Sequence, residues 1–246
     1  MARSHPAARP HSELVELFPD VFFATGSVKM APLMSFSRNM VVVREGERLV
    51  IVNSMRLTDE GLAKLDGLGK VTDVIRLAGF HGMDDPFYKE RYDAKVWCLP
   101  GAPYKKGFDA AKGSGTSYFE ADRELSPDGA LPIANAKVIA FSTTPPEALL
   151  LLEREGGILV TGDALQNWAT TNEHFSFAAK VFMKRMGFIR AHNVGPGWVK
   201  ATNPNRSEIK AILDLDFDHV LPSHGDAVIG GAREAYRPAV DFVVSR

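Results

Sequence analysis

The sequence contains a single cysteine among its 246 residues, and this scarcity excludes several classes of site. One cysteine cannot form an intrachain disulfide, a cysteine-rich zinc ribbon or a CxxC redox site. Charge of one sign is also missing, because 29 Lys and Arg residues face 30 Asp and Glu residues and the formal net charge is −1. A nearly neutral chain offers no electrostatic argument for binding nucleic acid. Any metal ion must therefore be held by nitrogen and oxygen ligands, so the seven histidines are the residues to follow.

Long hydrophobic runs are absent as well. No window approaches the roughly eighteen apolar residues that a membrane-spanning helix needs. The first residues lack the apolar centre of a secretory signal, so the chain is expected in the cytoplasm. Residues 1–13 are predicted to form a mobile N-terminal extension, and residues 14–246 are predicted to form a single domain.

Strand-like and helix-like segments alternate along the chain. Residues 40–44 and 48–52 flank a Glu-Gly-Glu turn and predict a β-hairpin. Thr58 is a predicted N-cap for the helix that follows. Further strands are predicted at 71–77, 94–98, 138–141, 158–161 and 219–222, and helices at 207–215 and 232–243. This alternation, with some strands joined by tight turns, favours mixed sheets packed between helical layers.

Polar residues with metal-binding side chains follow three of the predicted strands. His81, Asp84 and Asp85 follow the strand at 71–77, Asp163 follows the strand at 158–161, and His224 follows the strand at 219–222. Ligands of layered α/β proteins gather where several strand ends meet at one edge. Imidazole and carboxylate groups suit zinc, iron or manganese better than a soft metal.

These segments, taken in order, resemble the metallo-β-lactamase fold superfamily. The resemblance rests on the hairpin VVVREGERLVIVNS, the element TGDAL after a strand and the late segment VLPSHGD, and it covers nearly the whole chain after about residue 14. It implies an α/β (α+β) fold, a four-layer αββα sandwich of two mixed β-sheets flanked by helices. It also implies a metal-dependent hydrolase.

The metal motif of that superfamily is incomplete here. The pattern His-x-His-x-Asp-His reads His81-Gly82-Met83-Asp84-Asp85-Pro86, so Met83 and Pro86 replace two imidazoles. The mid-chain histidine position falls in Ser142-Thr143-Thr144-Pro145, and the hairpin aspartate position falls in Asn53-Ser54-Met55. The resemblance therefore implies a reduced site in which Asp85, Asp163 and His224 bind the ion with His81 beside them. Such a site would hold one divalent ion, zinc before iron or manganese, or none.

The predicted chemistry is hydrolysis of a small ester, amide, thioester or phosphoester. Asp85 is predicted to orient the attacking water as well as bind the ion, and His81 is predicted to act as an acid or base. The alternative is a non-catalytic protein of this fold that uses the degenerate cleft to bind a ligand or partner. Oxidoreductase chemistry at iron is the least supported option. The substrate is expected to be a small molecule, with no nucleic-acid or membrane partner.

Several of these residues also have ordinary structural interpretations. Asp163 could be the N-cap of a helix starting at Ala164, and Asp85 before Pro86 could open a helix. The apolar stripe between Phe175 and Met186 is typical of a core or of a contact between identical subunits, which would make the protein a homo-oligomer. Residues 99–132 are expected to be a long surface loop that influences specificity.

Overall fold

In the computed structural model, residues 5–102, 104–105 and 117–246 are described, and they form two mixed β-sheets. The larger sheet has the strand order β1 (Val15–Phe18), β2 (Val21–Ala31), β3 (Met34–Glu45), β4 (Arg48–Val52), β5 (Lys70–Arg76), β6 (Lys95–Cys98) and β9 (Arg123–Glu124). The smaller sheet has the order β10 (Ala136–Phe141), β11 (Glu147–Leu152), β12 (Ile158–Thr161) and β15 (His219–Pro222). Two short pairs join β7 (Tyr104–Lys105) to β8 (Ser117–Phe119) and β13 (Leu165–Gln166) to β14 (Asn193–Val194).

Six α-helices lie within the described ranges and flank these sheets. They are α1 (Asp59–Leu68), α2 (Asp85–Tyr92), α3 (Phe177–Arg185), α4 (Pro196–Thr202), α5 (Arg206–Ala211) and α6 (Ala232–Val244), with a 3₁₀ turn at Ile212–Asp214. Buried side chains of α1 and α2 join the core of the larger sheet, whereas those of α4, α5 and α6 pack on the smaller sheet. The predicted αββα arrangement is confirmed.

Strands of the smaller sheet are apolar at almost every position because both faces of this sheet are covered. Along β11, Leu150 and Leu152 join the core shared with the larger sheet, while Leu149 and Leu151 join the core formed with the helices. Successive side chains of a strand point to opposite faces, so a sheet covered on both faces needs apolar residues at every position. The continuous run of leucines is the result, and it places this sheet inside the four layers.

The predicted hairpin and helix cap are confirmed. β3 and β4 pair antiparallel across the turn at residues 46–47, with Glu45 opposite Arg48. The hydroxyl of Thr58 accepts a hydrogen bond from the backbone N–H of Gly61 in the first turn of α1. Local turn and capping chemistry therefore determines these two elements.

The described part of the N-terminal segment, residues 5–13, contacts the body of the protein. Nε2 of His11 accepts the backbone N–H of Thr58 at 2.9 Å, and the backbone N–H of Ser27 donates to the carbonyl of Pro10 at 3.2 Å. The mobility expected for residues 1–13 stays a prediction. Residues 1–4, residue 103 and residues 106–116, most of them in the loop expected at 99–132, lie outside the described ranges.

The apolar stripe around α3 divides into two faces. Ala179 and Met183 are buried against an aromatic cluster that includes Trp168. Phe177 and Val181 on the opposite side are exposed. The buried face accounts for part of the stripe as core, and the predicted subunit contact stays a prediction. No helix within the described ranges is long and apolar enough to cross a lipid bilayer.

Candidate metal centre

Three strands end at one edge of the sandwich and present three polar side chains there. His81 follows β5, Asp163 follows β12 and His224 follows β15. β12 and β15 are parallel neighbours, so the carboxyl ends that precede Asp163 and His224 lie side by side. One ligand atom from each of His81, Asp163 and His224 lies within 4.8 Å of the other two. Within the described residues, these three form the cluster that could hold a metal ion.

Two separations inside this cluster, each to a different oxygen of Asp163, are close to those between ligands of one small divalent cation. Nε2 of His224 lies 3.1 Å from Oδ1 of Asp163, and Nε2 of His81 lies 3.5 Å from Oδ2 of the same carboxylate. Ligands about 2.1 Å from a tetrahedral zinc are separated from each other by about 3.4 Å. Two imidazoles and one carboxylate also match the hard and borderline donors that zinc accepts. The residues therefore suit one ion with an open fourth position.

The ring of His224 is held in a fixed orientation. Its Nδ1 lies 3.1 Å from the carbonyl oxygen of Ser37, which can only accept, so Nδ1 carries a proton and Nε2 is the atom that faces Asp163. The rings of Trp168 and Phe36 lie 4.8 Å and 5.9 Å from the imidazole. Hydrogen bonding and aromatic packing together direct Nε2 towards Asp163.

Asp163 lies on a loop fixed by a buried glutamate. Oε1 of Glu147 accepts the backbone N–H groups of Asp163 at 2.5 Å and of Ala164 at 3.0 Å. Burial opposes the ionisation of Asp163, but the adjacent imidazoles, His81 before His224, hold the pKa of its carboxyl well below the ordinary range. At neutral pH the cluster therefore contains a carboxylate anion between two imidazoles.

The pKa of Glu147 is shifted in the opposite direction from that of Asp163. Burial, and secondarily the charge of Asp163, raises the pKa of the Glu147 carboxyl well above its ordinary range. Its Oε2 atom is buried without a hydrogen-bond partner in the described structure. Glu147 therefore supports the loop through its hydrogen bonds, and Asp163 carries the negative charge of this pair of carboxyl groups.

The structure does not bring Asp85 into this cluster. Its carboxylate is fully buried and accepts hydrogen bonds from the hydroxyl groups of Ser54, at 2.5 Å, and Tyr104. Burial raises the pKa of the Asp85 carboxyl, although these two hydrogen bonds act in the opposite direction. Asp85 is the first residue of α2, which agrees with its interpretation as a helix opener before Pro86. The predicted roles of Asp85 as metal ligand and water-orienting group stay predictions.

The helix predicted to start at Ala164 does not form. β13 follows instead and pairs with β14, so Asp163 does not act as the N-cap of a helix. That structural interpretation was wrong because tertiary pairing with a distant strand overrides the local capping signal. The side chain of Asp163 is directed to the two histidines.

The positions where the superfamily motif lacks an imidazole supply no replacement ligand. Met83 is exposed on the loop after His81, and Pro86 is buried in the first turn of α2. Thr143 is buried, and its hydroxyl donates to the carbonyl of Pro145 at 3.0 Å. These side chains lie outside the group of His81, Asp163 and His224.

Asn53 links the strand ends that carry all three ligands, and sequence reasoning did not identify this role. Its Nδ2 donates to the carbonyl of Thr161 at 3.1 Å and to Oγ of Ser223 at 2.7 Å, and its Oδ1 accepts the N–H of Leu77 at 3.2 Å. Thr161 and Ser223 precede Asp163 and His224, while Leu77 lies four residues before His81. One amide thus connects the two sheets beneath the metal centre.

Two sequence signals could have pointed to the supporting residues. Glu147 is an acid that opens an otherwise apolar strand, and Arg76 is a cation at the end of another. A charged side chain in a strand that is buried on both faces needs a specific partner. Arg76 finds it by donating to the carbonyl groups of Ala78 and Ala102, at 3.0 Å and 2.9 Å, beside the loop that carries His81.

Comparison with known proteins identifies the fold from structure alone. No protein-family model matches the sequence, and no curated protein matches it. Solved structures do match, and many of them are metallo-β-lactamases. The fold of this chain is therefore the metallo-β-lactamase fold, in agreement with the resemblance seen in the sequence.

Three of these structures illustrate the degree of similarity. The metallo-β-lactamase FIM-1 from Pseudomonas aeruginosa, solved in a mono-zinc form, has a TM-score of 0.63 at 12% identity, and the match covers 99% of this chain and 100% of that one. A metallo-β-lactamase from Hirschia baltica has a TM-score of 0.58 at 15% identity, covering 94% and 97%. One from Pontibacter korlensis has a TM-score of 0.60 at 13% identity, covering 93% and 98%. At these identities the likeness extends to the fold.

Proposed function

We propose that this protein, which has the metallo-β-lactamase fold, is a metal-dependent hydrolase with a mononuclear site formed by His81, Asp163 and His224. The observation that carries the proposal is the convergence of three ligand atoms within 4.8 Å at the edge where three strands end. A similar structure, FIM-1 from Pseudomonas aeruginosa, is described in a mono-zinc form, which supports a one-ion site in this fold. Zinc is the expected ion, ahead of iron or manganese.

The ion would supply Lewis acidity by polarising the scissile carbonyl or phosphoryl oxygen and by lowering the pKa of water. The chain supplies the binding geometry. Asp163 provides the single negative charge of the site, which leaves the centre with net positive charge. His224 presents Nε2 because Ser37 fixes its Nδ1 proton. Trp168 excludes water from one side of that ring.

The accessible side of the centre is at His81. The side chain of His81 is 19% exposed, compared with 8% for His224. A substrate would therefore approach past the loop of residues 80–84. We propose small esters, amides, thioesters or phosphoesters as the substrate class, because a single Lewis-acid centre acts on the oxygen that these groups share.

Metal analysis of single-residue variants is the direct test. The wild type should retain about one zinc per chain after purification without chelators. His81→Ala, Asp163→Ala and His224→Ala should each weaken zinc binding by about a hundredfold or more, since even residues that only orient a ligand contribute 10–100-fold. Asp85→Asn should retain the ion, because the Asp85 carboxylate lies outside the cluster of three ligands. Loss of zinc in Asp85→Asn at unchanged melting temperature would instead add Asp85 to the ligand set.

Hydrolysis is tested separately with chromogenic ester, amide, thioester and phosphodiester substrates. Activity that disappears on chelation, returns with one equivalent of zinc and is missing in His224→Ala supports the enzyme. Tight zinc binding without turnover on any of the four classes would favour the non-catalytic alternative, in which Met83, Pro86 and Thr143 record the loss of catalytic ligands.

A further inference from the structure

A cavity lies away from the candidate metal centre, among the helices that cover the smaller sheet. It has a volume of about 490 Å³, within the range of roughly 300–1,000 Å³ that is typical of small-molecule sites. The end of α3 and the helices α4, α5 and α6 surround it. None of the three candidate metal ligands lines this cavity.

The charged side chains that line the cavity are all cationic. Arg190, Lys200, Arg206 and Arg246 line it, and within the described structure no aspartate or glutamate side chain does. The whole chain has a formal charge of −1, so even without Arg246, which also bears a terminal carboxylate, three cations around one cavity are a local departure from a balanced composition. Like charges that are not neutralised by neighbouring carboxylates repel each other and attract an anion.

The floor of the cavity is apolar. Strand β14 and helices α4, α5 and α6 form it, chiefly through Val194, Val199, Ile209, Ala239 and Val243. Phe242, which is 45% exposed, stands at its rim. The guanidinium of Arg246 lies 4.1 Å from the centre of the Phe242 ring and that of Arg190 lies 5.9 Å away. Cationic heads and an apolar surface therefore share one opening.

We propose that this cavity is a binding site for an anionic amphiphile, a carboxylate or phosphate group attached to an alkyl chain. Guanidinium groups pair with carboxylate and phosphate oxygens in a geometry that favours two hydrogen bonds at once. The alkyl chain covers Val199 and Phe242 and removes their surface from water. A simple inorganic anion would use only the first interaction, and a neutral alkane only the second. The amphiphile uses both.

Calorimetric titration with decyl phosphate, at concentrations well below its critical micelle concentration, tests the site. We expect saturable binding with a stoichiometry near one, which weakens as sodium chloride is added because salt screens the head-group contacts. Inorganic phosphate and decyltrimethylammonium should each bind at least about tenfold more weakly. Equal affinity for the cationic and anionic amphiphiles would overturn the proposal.

Paired variants locate the binding. Arg190→Gln combined with Arg206→Gln should lower the affinity for decyl phosphate by about tenfold, because two guanidinium contacts to the head group are lost. Phe242→Ser should lower it through the alkyl chain. The control pair is Arg48→Gln with Arg123→Gln, two exposed arginines on the larger sheet. An equal loss of affinity in the control pair would show non-specific charge attraction and contradict the site.

The source of the amphiphile is distinguished with vesicles. Binding to vesicles of phosphatidylcholine with 30% phosphatidylglycerol, but not to phosphatidylcholine alone, assigns the site to lipid head groups in a bilayer. Binding to monomeric decyl phosphate without vesicle binding assigns it to a free amphiphile. Absence of both kinds of binding overturns the proposal. Zinc content and hydrolysis at the metal centre do not enter any of these readouts.

Discussion

Nδ2 of Asn53 lies 2.7 Å from Oγ of Ser223, and this contact joins the end of β4 to the residue before His224. The same amide nitrogen donates to the carbonyl of Thr161, two residues before Asp163. A buried amide with both donors and its acceptor engaged fixes the relative position of the strand ends it touches. The arrangement of the three candidate ligands therefore depends on a residue that is not itself a candidate ligand.

Replacement of Asn53 by alanine should weaken zinc binding by about 10–100-fold, the range seen for residues that orient metal ligands. Stability should fall by about 1–3 kcal/mol because the N–H of Leu77 loses its buried acceptor, whereas the carbonyl of Thr161 keeps the N–H and hydroxyl of Ser223. Competition with a zinc chelator and urea denaturation measure the two effects. Asn53→Asp keeps the acceptor for Leu77 and should lie between the wild type and Asn53→Ala.

Asn205→Ala is the matched control for this experiment. Asn205 is the N-cap of α5 and accepts the backbone N–H of Ser207, far from the ligands in sequence. Its loss should cost about 1 kcal/mol of stability with zinc affinity unchanged. If Asn53→Ala weakens zinc binding no more than Asn205→Ala does, the positioning role of Asn53 is excluded.

Removal of Asp163 should have an effect that depends on metal. An ion that binds only the folded state at a hundred times its Kd adds about 2.7 kcal/mol to the free energy of unfolding. Asp163→Ala should therefore lower the melting temperature in zinc-containing buffer and much less in chelated buffer. Asp226→Ala changes an exposed acid two residues after His224 and serves as the control. An equal drop in both buffers for Asp163→Ala would assign the side chain a purely structural role.

The edge where the His/Asp cluster lies could be predicted from the sequence, because strand ends followed by His or Asp place their residues at a common edge. His81, Asp163 and His224 follow that rule. Asp85 does not, because a strand-end rule gives the position of a loop but not the direction of each side chain. Ser54 and Tyr104, which are distant from Asp85 in sequence, accommodate its carboxylate in a buried pocket.

The supporting residues could not be predicted for a related reason. Asn53 and Glu147 act through backbone groups of residues more than twelve positions away, at Thr161 and Asp163 respectively. A sequence pattern identifies them as polar residues at strand ends, but only the packing of the two sheets determines which N–H and carbonyl groups lie within reach. The long-range part of the site therefore emerges from the tertiary structure.

The pH dependence of the free energy of unfolding tests the environment of Asp85. Burial raises its pKa in the folded protein above the unfolded value of about 3.9. The group binds its proton more tightly when folded, so its contribution to stability is complete below pH 4 and is lost as pH rises towards the folded pKa. Asparagine at this position does not titrate, so Asp85→Asn lacks this pH-dependent contribution to stability. The free energy of unfolding of Asp85→Asn relative to the wild type should therefore increase as pH rises from 4 towards neutrality.

Urea denaturation at several pH values measures this difference, and the increase should approach about 1.4 kcal/mol per pH unit within the window. Asp128→Asn, at an exposed position, is the control, and its difference from the wild type should stay flat. A difference for Asp85→Asn that decreases with rising pH would mean that the folded state stabilises the carboxylate. That result would show that the hydrogen bonds from Ser54 and Tyr104 and the charge of Arg76 outweigh the effect of burial on Asp85.

Gly225, directly after His224, should not tolerate a side chain. A Cβ atom there would lie 2.1 Å from the backbone carbonyl of Asn167, and the residue has a φ of +94°. Gly225→Ala should therefore cost about 3 kcal/mol or more and disturb the strand end that carries His224. Gly67→Ala in α1, where a Cβ meets nothing within 4 Å, should raise stability by about 0.5–1 kcal/mol.

Gly225→Asn separates the two causes, because asparagine tolerates positive φ but carries the same Cβ. Since the clash is with backbone atoms that cannot move independently, Gly225→Asn should be as unstable as Gly225→Ala in urea denaturation. A partial rescue would assign part of the requirement to φ, and a full rescue would exclude the clash.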